Sequence, residues 1–229
     1  MITVEALAKR IDHTNLKPDA SERAIRGLCA EAREHHFISV CVHPCWVSVA
    51  AAELEDTGVR VATVIGFPHG ANTAAVKAHE AEDAIRRGAN DLDMVIALGA
   101  IKSNAWLAVR EDIAGVVQVA EAAGAEVKVI LECTYLTDEE MRFAAHAAVV
   151  SGAHFLKTST GFGPHGARIE DVRLLADIAG GVCGVKAAGG IRDLDAALAM
   201  LEAGATRLGT SAGVSILNEL ASRAEVRNE

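Results

Sequence analysis

Aromatic residues are scarce in this sequence, making up 3% of its 229 positions, while alanine, valine and glycine are abundant. So few large rings disfavour a β-sandwich filled by aromatic side chains and favour helices packed closely on a buried sheet. No apolar run reaches the roughly 18 residues that span a bilayer, and the N-terminus lacks the basic-then-apolar order of a signal peptide. These absences predict a cytoplasmic protein without a membrane partner.

Paired cysteines are also missing. The five cysteines are an odd number and contain no Cys-x-x-Cys pair, so neither a disulfide framework nor a zinc ribbon is indicated. The nearest approach to a ligand cluster is Cys41, His43 and Cys45, which alternate and would share one face of a strand. A metal site there is the minor alternative, and we predict no metal.

Positive charge is in deficit, with 22 basic against 31 acidic residues and a net charge of -9. This balance argues against binding to a phosphate backbone, so nucleic acid is not an expected partner. The length suits one large core better than two. We therefore predict a single domain over residues 1–229.

Short apolar runs rich in valine and isoleucine alternate with amphipathic segments of helical period, which is the pattern of a parallel sheet. A short N-terminal helix comes first. Capping boxes are predicted at Asp19 with Glu22 and at Thr137 with Glu140. Several helices end in the same Gly-Ala dipeptide, at Gly88, Gly124, Gly152 and Gly204. The eight predicted strands are 11–15, 38–43, 59–67, 91–98, 126–133, 155–160, 184–189 and 206–210.

Eight strand–helix units in a chain of this length predict an α/β protein with the (β/α)8 TIM-barrel fold. The alternative is an open, doubly wound sheet, whose dinucleotide signature would be a GxGxxG turn after the first strand. The sequence has no such turn there. In a barrel, the reactive side chains collect at the carboxyl ends of the strands.

The segment from Phe155 to Gly163 sets a lysine inside a short apolar strand that opens into a glycine-rich turn. A lysine in a desolvated cavity loses affinity for its proton, and only the neutral amine is a nucleophile. We therefore interpret Lys157 as an amine that attacks a carbonyl to form a Schiff base. The alternative is a lysine at a strand edge with its head group in water.

A second lysine, Lys186, occupies the matching position on the seventh strand. Alternation sends Lys157 and Lys186 inward on strands about 4.8 Å apart, so each should make the other harder to protonate. Asp93, within the apolar fourth strand, provides a carboxylate for a proton relay, or alternatively an ion pair that keeps a lysine protonated. Asp91 is expected to face outward or to cap the start of that strand.

Further charged side chains are expected at the same barrel mouth as supporting residues. They are Lys128 and Glu132 on one face of the fifth strand and Asp12 at the end of the first. Glycine-rich turns follow the last three strands, where backbone N–H groups and helix N-termini could hold a phosphate; simple turns are the alternative. The predicted phosphate-binding residues are Gly161, Gly189, Gly190, Gly209 and Ser211.

Six segments of the sequence carry a family resemblance. They are Ile11-Asp12-His13-Thr14, Val64-Ile65-Gly66-Phe67-Pro68 with Gly70-Ala71-Asn72-Thr73, Asp91-Leu92-Asp93-Met94-Val95, Val127-Lys128-Val129-Ile130-Leu131-Glu132, Lys157-Thr158-Ser159-Thr160-Gly161 and Val185-Lys186-Ala187-Ala188-Gly189-Gly190-Ile191. Together they closely resemble the deoxyribose-phosphate aldolase family.

This resemblance implies a class I aldolase on a (β/α)8 barrel, a carbon–carbon lyase of deoxyribonucleotide and carbohydrate degradation. The implied reaction is the reversible cleavage of 2-deoxy-D-ribose 5-phosphate to D-glyceraldehyde 3-phosphate and acetaldehyde. Lys157 would be the Schiff-base lysine, Lys186 the lysine that perturbs it, and Asp93 the acid of the proton relay. No cofactor or metal is implied, and the partner is a small sugar phosphate. A homo-oligomer stays open, because no residue pattern specifies it.

The sequence departs from that family in two places. Some members carry a longer tail ending in tyrosine, whereas the last residues here are Arg227-Asn228-Glu229 and the only tyrosine is Tyr135. His69 stands where leucine is expected. Two rival functions fit part of the pattern: another Schiff-base barrel enzyme, such as a transaldolase or keto-acid lyase, and a sugar-phosphate-binding regulator without catalysis.

Overall fold

The computed structural model of the protein describes residues 2–226, which form alternating strands and helices. The strands are β1 (Ile11–Asn15), β2 (Ser39–Val42), β3 (Arg60–Ile65), β4 (Asp91–Val95), β5 (Glu126–Ile130), β6 (Phe155–Lys157), β7 (Gly184–Ala188) and β8 (Arg207–Thr210). The helices are α1 (Val4–Ala8), α2 (Glu22–Glu34), α3 (Val47–Glu53), α4 (Ala74–Arg86), α5 (Leu98–Lys102), α6 (Trp106–Ala123), α7 (Asp138–Val150), α8 (Ile169–Ala179), α9 (Leu194–Glu202) and α10 (Gly213–Val226). Short 3-10 turns follow β2 and β5, at Pro44–Trp46 and Cys133–Tyr135.

The strands close into one parallel barrel in sequence order, and β8 pairs with β1. This topology confirms the predicted (β/α)8 barrel and excludes the open, doubly wound sheet. Seven of the strands are shorter than the predicted runs, by one to three residues at one or both ends. That residues 1–229 form a single domain stays a prediction. The sequence difference noted at the C-terminal tail concerns residues 227–229, which lie outside the described residues.

Strand alternation divides the buried side chains into two sets. Leu92 and Met94 of β4 point outward and pack in the large apolar cluster between the sheet and the helices. Burying one such side chain contributes about 1.5–3 kcal/mol. Inside the barrel, a smaller apolar cluster comprises Leu16, Cys41, Ala62 and Val64. The interior is therefore apolar beside the middle of β2 and β3.

Helix ends agree with the predictions in part. Thr137 and Glu140 form the predicted capping box at α7. The box predicted at Asp19 and Glu22 is wrong, because Ser21 is the N-cap of α2 and its hydroxyl accepts the N–H of Ala24 at 3.3 Å. The glycines of the four Gly-Ala dipeptides all have positive φ, as a helix-ending position requires: Gly88, Gly124, Gly152 and Gly204.

Candidate active site

One carboxylate in the barrel interior joins the two predicted lysines. Lys157 of β6 and Lys186 of β7 are paired in register. Their Nζ atoms donate to the same oxygen, Oδ2 of Asp93, at 2.8 Å and 2.6 Å. The exposed fractions are 3% for Lys157, 1% for Lys186 and 0% for Asp93. The structure thus brings together the three side chains that the sequence analysis selected.

A second carboxylate holds Lys186 alone. Nζ of Lys186 lies 2.5 Å from Oδ2 of Asp12, whose Oδ1 accepts a hydrogen bond from Arg207 at 2.9 Å. Asp12 is the second residue of β1 and so lies inside the barrel, not at the strand end as predicted. Arg207 was missed, although it shares the inward alternation of Gly209 on β8.

A deeper layer of charge lies below these groups. Lys128 donates to Oδ2 of Asp91 at 2.6 Å and lies 3.3 Å from Oδ1 of Asp93. The prediction that Asp91 faces outward is wrong, because it is fully buried between Lys128 and Arg60, and Arg60 also donates to it. Lys128 pairs in register with Phe155, two residues before Lys157, so it lies below the mouth.

The two central lysines experience opposite pKa shifts. Burial lowers the pKa of Lys157; Asp93 opposes this shift, and the positive charge of Lys186 adds to it. Burial also disfavours the charged form of Lys186, but Asp12 and Asp93 outweigh it and raise the pKa of Lys186. The expected mutual effect therefore holds for Lys157 and is wrong for Lys186. One amine is shifted toward its neutral form, and its neighbour remains an ammonium ion.

Asp93 is surrounded by positive charge. Burial alone would favour its neutral acid, but Lys157, Lys186 and Lys128 hold the pKa of this carboxyl well below its usual range. Its Oδ1 has no hydrogen-bond partner among residues 2–226. Asp93 is therefore an anion, and its Oδ1 lies beside the charge of Lys128, 3.3 Å away, without a hydrogen bond from this part of the chain.

A cavity of about 600 Å³ opens over this cluster at the carboxyl ends of the strands. Lys157 lines it, whereas Lys186 and Asp93 lie behind Lys157 and are not part of its lining. All five residues predicted to bind phosphate also line the cavity: Gly161, Gly189, Gly190, Gly209 and Ser211. The cavity therefore connects the amine to the glycine-rich turns.

Glu132 shapes one of these turns from the neighbouring strand. It lies beyond the end of β5 in a left-handed conformation, with φ of 50°, so it does not share a strand face with Lys128 as predicted. Its Oε2 accepts hydrogen bonds from the N–H of Thr160, at 3.1 Å, and from the Thr160 hydroxyl. The same hydroxyl oxygen accepts the N–H of Phe162 at 3.0 Å. Glu132 thus fixes the turn that follows Lys157.

The possible metal ligands do not share a face. β2 ends at Val42, so Cys41 is buried in the barrel while Cys45 is exposed in the following 3-10 turn. Within residues 2–226, no group of three or more His, Cys, Asp or Glu side chains could hold a metal ion. In the same part of the chain, no helix is both long and apolar enough to traverse a bilayer.

Fold and site together define an α/β barrel protein in which two buried amines meet one carboxylate below a cavity at the mouth. The chain belongs to the DeoC/LacD family of aldolases, whose sequence pattern matches residues 6–220. The deoxyribose-phosphate aldolase of Enterococcus faecalis is 54% identical over 212 residues, covering 93% of this chain and 96% of that protein. The enzyme of the same name from Streptococcus mutans is 55% identical over 208 residues, covering 90% of this chain and 93% of that protein.

Solved structures agree with the sequence comparison. A structure described as the unique tetrameric structure of deoxyribose phosphate aldolase from Aeropyrum pernix superimposes with a TM-score of 0.90. It is 36% identical and covers 96% of this chain and 93% of that one. The resemblance drawn from the sequence motifs is therefore confirmed at the level of the family.

Proposed function

We propose that the protein is a class I aldolase that reversibly cleaves 2-deoxy-D-ribose 5-phosphate to D-glyceraldehyde 3-phosphate and acetaldehyde. The observation that carries the proposal is the position of Lys157, which lines the cavity while its Nζ lies 2.8 Å from Asp93. Membership of the aldolase family supports the same reaction class. The activity belongs to the degradation of deoxyribonucleotides and their sugar phosphates.

Lys157 is the nucleophile in this proposal. Its neutral amine attacks C1 of the open-chain sugar, and loss of water from the carbinolamine gives an iminium ion. The iminium then accepts the electron pair of the C2–C3 bond as the C3 hydroxyl loses its proton, which releases D-glyceraldehyde 3-phosphate and leaves an enamine. Protonation of the enamine carbon and hydrolysis return the amine and acetaldehyde.

Asp93 and Lys186 assist the reaction at Lys157, one as a proton relay and the other through its charge. The carboxylate of Asp93 touches the amines of both lysines, so it is placed to relay the protons of the carbinolamine and of the C3 hydroxyl. Lys186 stays charged between Asp12 and Asp93, which supports the neutral form of Lys157. Lys128 and Glu132 act as supporting residues, one below Asp93 and one beside the turn after β6.

The glycine-rich turns are the proposed phosphate site. Backbone N–H groups at glycines approach an anion closely, and barrels commonly bind phosphate after their last strands. The proposed ligands are Gly161, Gly189, Gly190, Gly209 and Ser211, all of which line the same cavity as Lys157. The cavity would thus bind both ends of one sugar phosphate.

The wider assignments remain proposals of the same kind: one domain, a cytoplasmic location, no cofactor, and no nucleic-acid or membrane partner. A homo-oligomer is proposed because the Aeropyrum pernix relative is described as tetrameric. Light scattering on the purified protein tests it, and a mass of one chain would contradict it.

Borohydride trapping tests the reaction. With acetaldehyde present, reduction should attach a two-carbon group to Lys157, located by peptide mass mapping. We expect Lys157→Leu to abolish both the adduct and the cleavage of 2-deoxyribose 5-phosphate. Lys102→Leu, which changes an exposed lysine of α5, is the matched control and should keep both.

Three results would contradict the proposal. An adduct on another lysine would remove Lys157 as the nucleophile. No adduct and no cleavage, with retained binding of sugar phosphate, would favour the non-catalytic regulator, and a strong preference for a ketose donor would favour a transaldolase-like enzyme.

A further inference from the structure

His13 has no part in the chemistry described above, yet it is buried beside the active-site cavity. It follows Asp12 on β1, so alternation turns its side chain outward, between the barrel and the helices. Its exposed fraction is 2%, and it pairs in register with Thr210 of β8. His13 is also among the residues that line the cavity, together with Glu31 of α2.

Two contacts fix the orientation of the imidazole. Its Nε2 lies 2.6 Å from Oε2 of Glu31, and its ring stacks on Phe37 with centroids 4.8 Å apart. A carboxylate only accepts, so Nε2 carries the hydrogen. Burial lowers the pKa of His13, with Glu31 opposing the shift, so the ring is neutral and Nδ1 carries a lone pair.

Nδ1 lies close to the first residue of α10, Gly213. Nδ1 is buried and has no hydrogen-bond partner among residues 2–226. A Cβ added to Gly213 would lie 3.0 Å from Nδ1 and 2.8 Å from the Phe37 ring, so both rings pack directly on the Gly213 backbone. An electron pair beside a helix N-terminus is favourable, because the helix dipole is positive there.

This contact fixes the end of the turn between β8 and α10. Gly213 lies two residues beyond Ser211, which lines the cavity and is a proposed phosphate ligand. The ring of His13 therefore packs between β1, α2 and the backbone of the turn that contains Ser211. Its removal would let the first turn of α10 move without changing Lys157, Lys186 or Asp93.

We propose that His13, oriented by Glu31, is a positioning residue that sets the β8–α10 turn for the substrate phosphate. The inference rests on the proposed function and deepens it. His13 thereby contributes to the selectivity for 2-deoxyribose 5-phosphate over 2-deoxyribose, which lacks the phosphate.

The test compares these two substrates on the same enzyme sample. In His13→Phe, which keeps a ring but loses both nitrogens, the ratio of kcat/KM values should fall about tenfold, through KM for the phosphorylated substrate. Inorganic phosphate should inhibit this variant more weakly by a similar factor. Partial unfolding cannot mimic the result, because it lowers both kcat/KM values equally and cancels in the ratio.

A second pair of variants covers the case in which His13→Phe does not fold. Glu31→Gln removes the charge that orients the ring from a side chain that is 53% exposed, and should lower the ratio in the same direction. Glu34→Gln, an exposed glutamate of the same helix, should leave it unchanged. A ratio and a phosphate inhibition within about twofold of the parent would overturn the inference. A parent enzyme that does not cleave 2-deoxyribose 5-phosphate would instead contradict the proposed function.

Discussion

The two central lysines differ because of the number of carboxylates that each one touches. Lys157 has Asp93 as its only ion-pair partner among residues 2–226, whereas Lys186 lies between Asp93 and Asp12. One carboxylate does not compensate for complete burial, and two carboxylates do, which explains the opposite pKa shifts. The site thus assigns the neutral amine to the lysine that faces the cavity.

Removal of the Lys186 charge should shift the pH dependence of the reaction. In Lys186→Met, Lys157 loses the repulsion of a neighbouring positive charge, so the pKa of Lys157 should rise and its neutral fraction at a given pH should fall. We expect kcat/KM near neutral pH to drop by about 100-fold or more, and the acid limb of its pH profile to move to higher pH. Lys102→Met, on the surface, is the control. An acid limb at the parent's position would show that Lys186 does not tune Lys157.

Strand alternation was sufficient to place Lys157, Lys186 and Asp93 on the inner face. The same alternation turns Asp91 inward, and the prediction that it faces outward or caps the strand start is wrong. The error arose because the partners of Asp91 are on β3 and β5, and they become visible only when the register between strands is known. The register between neighbouring strands determines which residues form ion pairs, and sequence spacing does not specify that register.

Among the helices and strands, the buried pair of Lys77 and Asp112 was not predicted. Lys77 lies on α4 and is fully buried; its Nζ donates to Oδ2 of Asp112 on α6 at 2.6 Å and to the carbonyl of Val95 at 2.8 Å. An amphipathic helix pattern assigns a lysine to the surface. The pattern cannot reveal a charged partner on the next helix, because that contact depends on how α4 and α6 pack against each other.

Lys77→Met should destabilise the fold strongly, because it leaves the Asp112 carboxyl buried without its partner. Burial raises the pKa of Asp112 even with Lys77 present. We expect a loss of about 3–5 kcal/mol in the free energy of unfolding, measured by urea denaturation, and recovery of much of it in Lys77→Met/Asp112→Leu. The control is the exposed pair of Lys102 and Glu140, where Lys102→Met should cost about 1 kcal/mol or less. Equal losses in the single and double variants would contradict this account.

For the whole molecule, the order of elements was the most predictable feature. Eight apolar runs separated by helices predict a parallel sheet that is covered on both sides, and the pairing of β8 with β1 shows that this sheet is closed. The exact ends of the strands were harder to predict from the sequence. The chain leaves the ladder where side chains such as Glu132 and Thr160 bond to each other, and such a contact joins residues 28 positions apart.

The charges inside the barrel should make its stability depend on pH in the acid range. The ordinary pKa of an aspartate is 3.8, and the surrounding lysines hold the pKa of both Asp12 and Asp93 below that value, against the effect of burial. As the pH falls below this value, the unfolded chain takes up protons that the folded barrel does not. The stability that these carboxylates contribute is therefore fully present above the pKa that they have in the unfolded chain. It is lost as the pH falls toward the pKa that they have in the folded protein.

Asp12→Asn isolates one of these contributions. Each carboxylate adds up to about 1.4 kcal/mol per pH unit to the slope of unfolding free energy against pH, so below about pH 4 the variant should show a slope shallower by that amount. Urea denaturation at a series of pH values measures both slopes. The variant will be less stable at neutral pH, because Lys186 loses a partner, but the slope is independent of that offset. Asp19→Asn, on an exposed loop, controls for the change in net charge. Equal slopes for Asp12→Asn and Asp19→Asn would show that the buried carboxylate is not responsible for the pH dependence of the unfolding free energy.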